Sequence, residues 1–393
     1  MQEQQKEKLF TLDFILIIAV CGLGRIGNHM QSVTVPQYMQ SIGYTATVAG
    51  LMTTVYTIAS LVLRPFIGAL LDKKGRWLIV TAGTALFAVI SGLFPMVHSL
   101  WLLVLMRVLH GIGFASHATA INTMGTDVLP ESRLSEGIGY MGLTNSLSTA
   151  IAPALALMLM ERFGYGEAFT GIFAVAGLGA LLCLFIRYEK RNPPRREPVK
   201  ITWGSLFERS SLFPSVMILI AAAANTSLGT FLYTYTSAVQ LDGAGMFFTV
   251  NAVSMAISRL FGGKLTQRIG EKRMMYLGLL FCVLGFLLVS AARVPLLLWI
   301  AAALYGLGYG VVYPLLNAMA VVNAAPNRRG AANATFLMML DMGIGLGAMA
   351  WGFIIDHMGP QWLYPACAVT MAVSIVLYTC LSAMKKKGEK SHV

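Results

Sequence analysis

The sequence predicts an all-α membrane protein with twelve transmembrane helices in two pseudo-symmetric six-helix bundles. Three observations carry that prediction. Of the 393 residues, 56% are hydrophobic and only 12% charged, about half the charge of a soluble domain. The apolar residues gather in twelve runs, each long enough to cross a hydrocarbon core, which takes roughly 20 residues. The first half of the chain also recurs in the second half at a nearly constant offset.

The runs fall, in order, at 12–39, 45–71, 77–97, 100–126, 135–161 and 167–187, then at 212–238, 244–266, 273–292, 295–323, 331–356 and 361–384. The first is followed by Arg25, Asn28 and His29 and not by a small-residue cleavage site, so it reads as an uncleaved span. Residues 189–210 are the longest polar stretch, and Pro193, Pro194 and Pro198 forbid a continuous helix there. The expected organisation is an N-terminal bundle at 1–188, a cytoplasmic linker at 189–210 and a C-terminal bundle with a basic tail at 211–393.

Charge orients the spans. The chain carries 29 Lys and Arg against 17 Asp and Glu, a net charge of +12. Nucleic-acid binders place such an excess on a polar background. Here it sits in short clusters between apolar runs, so the lipid bilayer is the expected partner and nucleic acid is not. Counting from the N-terminus, Lys73, Lys74, Arg76, Arg133, Arg187, Lys190, Arg191, Arg195, Arg196, Lys264, Arg268, Lys272, Arg273, Arg328, Arg329 and the lysines from Lys385 to Lys390 all fall on one side. Opposite loops such as "SIGYTAT" and "QLDGAG" are nearly uncharged. The positive-inside rule then puts both termini in the cytoplasm and the protein in the cell membrane as a multi-pass chain. The five cysteines lie in apolar runs without C-x-x-C spacing. They read as small buried hydrophobes, with neither a metal site nor a cofactor expected.

The repeat is specific. "LRPFIGALLDKKGRW" (63–77) aligns with "SRLFGGKLTQRIGEK" (258–272) at an offset of 195, pairing Arg64 with Arg259, Gly68 with Gly263 and Gly75 with Gly270. The same offset pairs Gly111 and Gly113 with Gly306 and Gly308, and Gly164 with Gly359; an offset of 196 pairs Asn145 with Asp341. Matches at one spacing along most of each half argue for duplication. Two similar helical halves with a site between them is a transporter architecture.

Several motifs resemble those of the major facilitator superfamily. "GALLDKKGR" (68–76) is similar to its loop signature G-x-L-x-D-[RK]-x-G-R and lies between spans 2 and 3, with the degenerate copy "GKLTQRIGEKR" between spans 8 and 9. "RVLHGIGFA" (107–115) resembles the fourth-span motif R-x-x-Q-G-x-G, with His110 where Gln is usual. In the fifth span, Gly139, Ser148, Ala152, Pro153 and Ala156 occupy the positions of the antiporter motif G-x8-G-x3-G-P-x2-G, with Ser and Ala replacing several glycines. The resemblance covers essentially the whole chain. It implies the major facilitator fold and alternating access driven by an ion gradient. No P-loop is present in the sequence.

Polar residues at membrane depth nominate the site. Arg25 lies about 13 residues into span 1, near the midplane at 1.5 Å per residue, and His29 follows on the same face. A charge at that depth costs at least about 2.5–3.5 kcal/mol unless it is paired or hydrated. In span 4, Arg107, His110, Phe114 and His117 share a face that reads as cavity-lining; the resemblance links Arg107 to proton coupling. Asp341 is the carboxylate nearest the midplane and a candidate proton carrier. Asn145, its repeat partner, joins the substrate candidates. Span 10 carries Tyr305, Tyr309, Tyr313 and Asn317 four residues apart, and span 7 carries Asn225 and Tyr233. Their hydroxyls and amides suit an organic ligand with a flat or amphipathic body. Arg25, Arg107 and three histidines against Asp341 favour an anionic or zwitterionic substrate. For each of these side chains, ordinary structural packing is the competing reading.

The leading function is proton-coupled efflux of a small organic solute by a monomer, with an organic-anion importer or exchanger as the alternative. A lipid flippase, which would need a cavity open laterally to the bilayer, stands further back, as does a membrane-embedded enzyme, since no nucleophile–base or H-E-x-x-H spacing is present. The signature loop reads as a conformational gate. Gly68 and Gly75 are expected to allow close helix approach and a sharp reversal, while Lys73, Lys74 and Arg76 set topology. By resemblance Asp72, with Arg64 and Lys73 nearby, meets the positive N-terminus of span 11 and holds the cytoplasmic side shut. Gln267 and Glu271 in the second copy make that latch one-sided.

Overall fold

The computed structural model describes residues 9–130, 133–191, 208–322, 324–325 and 328–390. Residues 192–207 of the expected linker, with Pro193, Pro194, Pro198, Arg195 and Arg196, lie outside the described residues, as do the side chains of Asp72, Lys190, Arg191 and the C-terminal lysines. The described residues contain helices and no strand. Twelve of the helices are long and apolar enough to cross a membrane. They are α1 (Leu12–Ser41), α2 (Ala46–Lys74), α3 (Arg76–Leu93), α4 (Leu100–Asp127), α5 (Leu134–Phe163), α6 (Tyr165–Cys183), α8 (Leu212–Ala238), α9 (Ala244–Ile269), α10 (Glu271–Ala291), α11 (Pro295–Val322), α12 (Arg329–Met358) and α13 (Leu363–Lys390), with a short α7 (Tyr188–Arg191) after the sixth span.

The turns fall where the sequence supplies conformational freedom. Gly75 (φ 94°) and Gly270 (φ 89°) separate α2 from α3 and α9 from α10. Gly164 (φ 101°) and Gly359 (φ 91°) close α5 and α12. Both pairs sit at the repeat offset. Side chains other than glycine rarely adopt such angles.

The packing repeats as well. In the first half α3 packs on α4 and α6, and in the second α10 packs on α11 and α13. The α3/α4 crossing has a Cβ placed on Gly83 only 2.9 Å from the Gly113 carbonyl; the α10/α11 crossing has one on Gly278 3.2 Å from the Gly308 carbonyl. Gly278 and Gly308 are the offset copies of Gly83 and Gly113. Close backbone approach at these two crossings is therefore a property of the repeated sequence.

Contacts divide the chain into two compact units. Unit 1 comprises residues 1–34 and 59–200; unit 2 comprises 35–58 and 201–393. The last turns of α1 and the first half of α2 thus pack with the second-half helices. Pro36, inside α1, lies next to the point where the helix passes from one unit to the other.

Candidate functional site

In unit 1, α1 and α5 bring four predicted or neighbouring polar residues together. Arg25 Nη1 donates to Asn145 Oδ1 at 2.9 Å, and Arg25 Nε donates to Cys21 Sγ at 3.3 Å. One turn on, His29 Nε2 and Thr149 Oγ1 are 3.3 Å apart. Arg25 is the fourteenth residue of the 30-residue α1, about 2 Å from the helix midpoint along the axis. Both of those Arg25 partners are neutral, so neither offsets its charge. Thr149 was not singled out in the sequence; its i+4 relation to Asn145 on one helix face was the available signal.

The span 4 face departs from its expected role. His110 is fully buried, and both ring nitrogens are engaged, one with the Gln31 side-chain amide and the other with Ser91 Oγ at 3.0 Å. Its ring stacks on Phe94, with Phe87 5.2 Å away. It therefore ties α1, α3 and α4 together. His117 is 2% exposed, meets Thr84 Oγ1 at 2.8 Å through Nδ1 and packs its ring over Gly24 of α1, where a Cβ would strike it. Arg107 is also buried, and Phe114 is half-buried beside Phe87 and His117. Within that polar stripe, helix–helix hydrogen bonds engage both ring nitrogens of His110 and one of His117.

In unit 2, Tyr305 is 1% exposed and donates to Asn225 Oδ1 at 2.8 Å, so these two candidates satisfy each other. Tyr309 stacks on Tyr305 and is also buried; Tyr313 follows, half-buried, and lies in the fields of Arg259 and Asp341. Asn317 Nδ2 donates to Asn333 Oδ1 at 3.3 Å. Tyr233 and Asp341 are half-buried.

The described part of the signature loop is held by an acid from the same unit. Gly75 is needed: its φ is positive, and a Cβ there would lie 2.5 Å from Glu189 Oε1. Glu189 is that close because its carboxylate caps α3, accepting from the amides of Arg76 (3.0 Å) and Trp77 (2.8 Å). An acid at a helix N-terminus meets both the unpaired amides and the positive end of the dipole. The Arg76 side chain pairs with Asp127 at 3.1 Å, and Tyr188 donates to the same carboxylate at 3.1 Å. Burial first, and Asp127 second, push the Tyr188 phenol up from its ordinary value, keeping it a neutral donor. Gly68 differs: among the described residues, a Cβ there meets nothing within 4 Å. Lys73 is exposed and Arg64 half-buried.

A second helix cap, missed in the sequence, stands in unit 2. Asp356, near the end of α12, accepts from the amides of Ala46 (2.9 Å) and Thr47 (2.7 Å) and from the Thr47 hydroxyl. Thr54 of α2 donates to the Gly345 carbonyl at 2.6 Å. Gly50 and Gly352 leave room for the opposing backbones of α12 and α2. The available signal was an acid ending a span on the side with few charges, at the repeat position of Glu161.

Residues 16–246 and 238–392 match the family model of the Major Facilitator Superfamily. The chain belongs to this superfamily. The MFS-type transporter YhhS of Escherichia coli K12 is 26% identical over 368 residues, covering 91% of this chain and 88% of that protein. The staphylopine export protein of Staphylococcus aureus Mu50 is 22% identical over 371 residues, covering 89% and 91%. Among solved structures, the nucleoside transporter NupG superposes with a TM-score of 0.76 at 16% identity, covering 95% of this chain and 99% of that one. A POT family transporter in complex with 5-aminolevulinic acid gives 0.78 at 11% identity, covering 95% and 96%. These superpositions bear on the fold alone. As a major facilitator protein the chain is a multi-pass membrane transporter of a small solute, and not an enzyme.

Proposed function

We propose that this transporter exports a small organic anion or zwitterion from the cytoplasm across the inner membrane, driven by inward proton movement. The Arg25 cluster carries the reading. An arginine at the middle of α1, bonded to the neutral Asn145 and Cys21, keeps a positive charge at a depth where charge marks a solute or ion pathway. Asn145, His29 and Thr149 add hydrogen-bonding groups that fix a ligand's orientation. Export is supported by the likeness to the staphylopine export protein and by the softened antiporter motif in α5. Asp341, Arg107 and Arg25 are the proposed proton-coupling groups. Asn145, Asn225, Tyr233, Tyr313 and Asn317 remain proposed substrate contacts.

Alternating access gives the caps a role. α1 and α2 each belong to both units, so a cycle in which the units rock must remake the contacts of their first-half segments. The Asp356 cap holds the first half of α2 within unit 2, and the Asp72 latch is the proposed closure of the cytoplasmic side. Both termini lie in the cytoplasm in this reading, and the working unit is a monomer. The basic cluster also suits an importer or exchanger of organic anions. Flux in proteoliposomes under an imposed pH gradient separates the two: export predicts that solute moves against proton entry, whereas exchange without pH dependence rejects proton coupling. Arg25→Ala and Asp341→Asn should each abolish coupled flux in folded protein. Undiminished flux in both removes them from the mechanism.

A further inference from the structure

Within unit 2, α9 and α11 flank an open groove of about 410 Å³ whose lining includes Ser258, Arg259, Thr266, Gly310 and Pro314. Small-molecule sites run from roughly 300 to 1,000 Å³. Arg259 is the sixteenth residue of the 26-residue α9, about 4 Å from its midpoint along the axis, and it is exposed. An exposed guanidinium at that depth requires a hydrated cavity or a counter-charge, since lipid tails offer neither. Its field reaches Tyr309 and Tyr313 on α11, and Asp341 on α12 reaches Tyr313.

The opposite wall supplies an acceptor. Pro314 lies inside α11 and has no N–H, so the Gly310 carbonyl lacks its i+4 helical partner. Both residues line the groove. Interrupted helices use such carbonyls for cationic groups in transporters. Arginine on one wall and a carbonyl on the other are complementary to a molecule with an oxyanion at one end and an N–H group near it.

We propose that this groove is a second solute station, taking an organic carboxylate with an apolar body, its oxyanion on Arg259 and any ammonium group on the Gly310 carbonyl. The proposal rests on the anion-selective transport reading above and adds a residue and a place to it. A phospholipid headgroup carries the same oxyanion chemistry, and the phosphatidylglycerol arm of the test separates it from a soluble carboxylate.

The test uses the full chain in phosphatidylcholine nanodiscs. Four native cysteines are buried and Cys380 is exposed, so Ala318→Cys on the groove wall is made in a Cys380→Ser background. Its modification rate is measured with an anionic sulfonatoethyl and a cationic trimethylammonium-ethyl methanethiosulfonate, each normalised to its rate with a free thiol. The expected result is at least a tenfold preference for the anionic reagent, retained in Arg259→Lys and reduced to near parity in Arg259→Gln. Phenylalanine and 3-phenylpropanoate should slow the reaction, and phenethylamine should not. Equal rates with Arg259 present, no reaction with either reagent, protection by the amine alone, or no protection by either carboxylate overturns the proposal. So does slowing by phosphatidylglycerol in the disc, which makes lipid the occupant. Loss of proton-coupled flux with an intact charge preference would reject the transport reading and leave the station standing; the reverse outcome rejects the station alone.

Discussion

Gly68 and Gly75 stand in one motif and do different work. Gly75 has a positive φ and the Glu189 carboxylate against it, so Gly75→Ala should cost on the order of 1–3 kcal/mol from backbone strain and loosen the α3 cap. Nothing stands within 4 Å of a Cβ at Gly68, so Gly68→Ala should be neutral or stabilising by up to about 1 kcal/mol through helix propensity. Thermal unfolding of the two purified variants checks the pair, and equal losses would refute the distinction. His110 offers a related contrast. Its ring satisfies Gln31 and Ser91 in a buried site, so His110→Ala should destabilise by about 2–4 kcal/mol through the cavity and the stranded polar groups. Any transport that survives should keep its pH dependence. The sequence shows that histidine at helical spacing from Arg107; burial is invisible there, because its two partners are brought in from α1 and α3.

Helix ends were the least legible elements. The twelve spans are legible because each is a long apolar run, and the turns because glycines break them. Which acid caps which helix depends on tertiary approach: Glu189 reaches α3 from 113 residues away in sequence and Asp356 reaches α2 from 310. A third acid, Glu208, stands before α8. The hydrogen bond from Arg328, at 2.8 Å, and then those from Ser210 hold its carboxyl down at about 2. The folded value lies below the ordinary one near 4.3, so its contribution is complete above about pH 5, fades as pH falls and is lost below about 2. Hydrogen-exchange protection at residues 208–211, with each rate divided by the intrinsic rate at that pH, should fall between pH 5 and pH 2.5 in the wild type, and start low and stay flat in Glu208→Gln. A pH-independent wild type would show that this pair does not order the segment. Asp356→Asn should weaken the α2 cap and raise labelling of a cysteine placed at Thr47; unchanged labelling would leave the cap without a gating role.

For the whole molecule, duplication is the property that sequence displays best. One offset relates the signature loops, the positive-φ glycines Gly75 and Gly270, and the glycine crossings Gly83–Gly113 and Gly278–Gly308. The copies also diverge. Arg25 has no basic copy at the offset, where Ile220 stands, and His110 is replaced by Tyr305. The assignment of the first half of α2 to unit 2 was not legible, since a repeat in sequence says nothing of which conformation gathers which segments. The central claim is that Arg25 serves an anionic or zwitterionic solute moved against protons. Electrical recording from proteoliposomes on a solid-supported membrane tests it, with organic anions, zwitterions and cations offered under an imposed pH gradient. A gradient-dependent current with an anion or zwitterion, absent in Arg25→Ala, is the predicted result; currents with organic cations alone, or currents undiminished in Arg25→Ala, would contradict it.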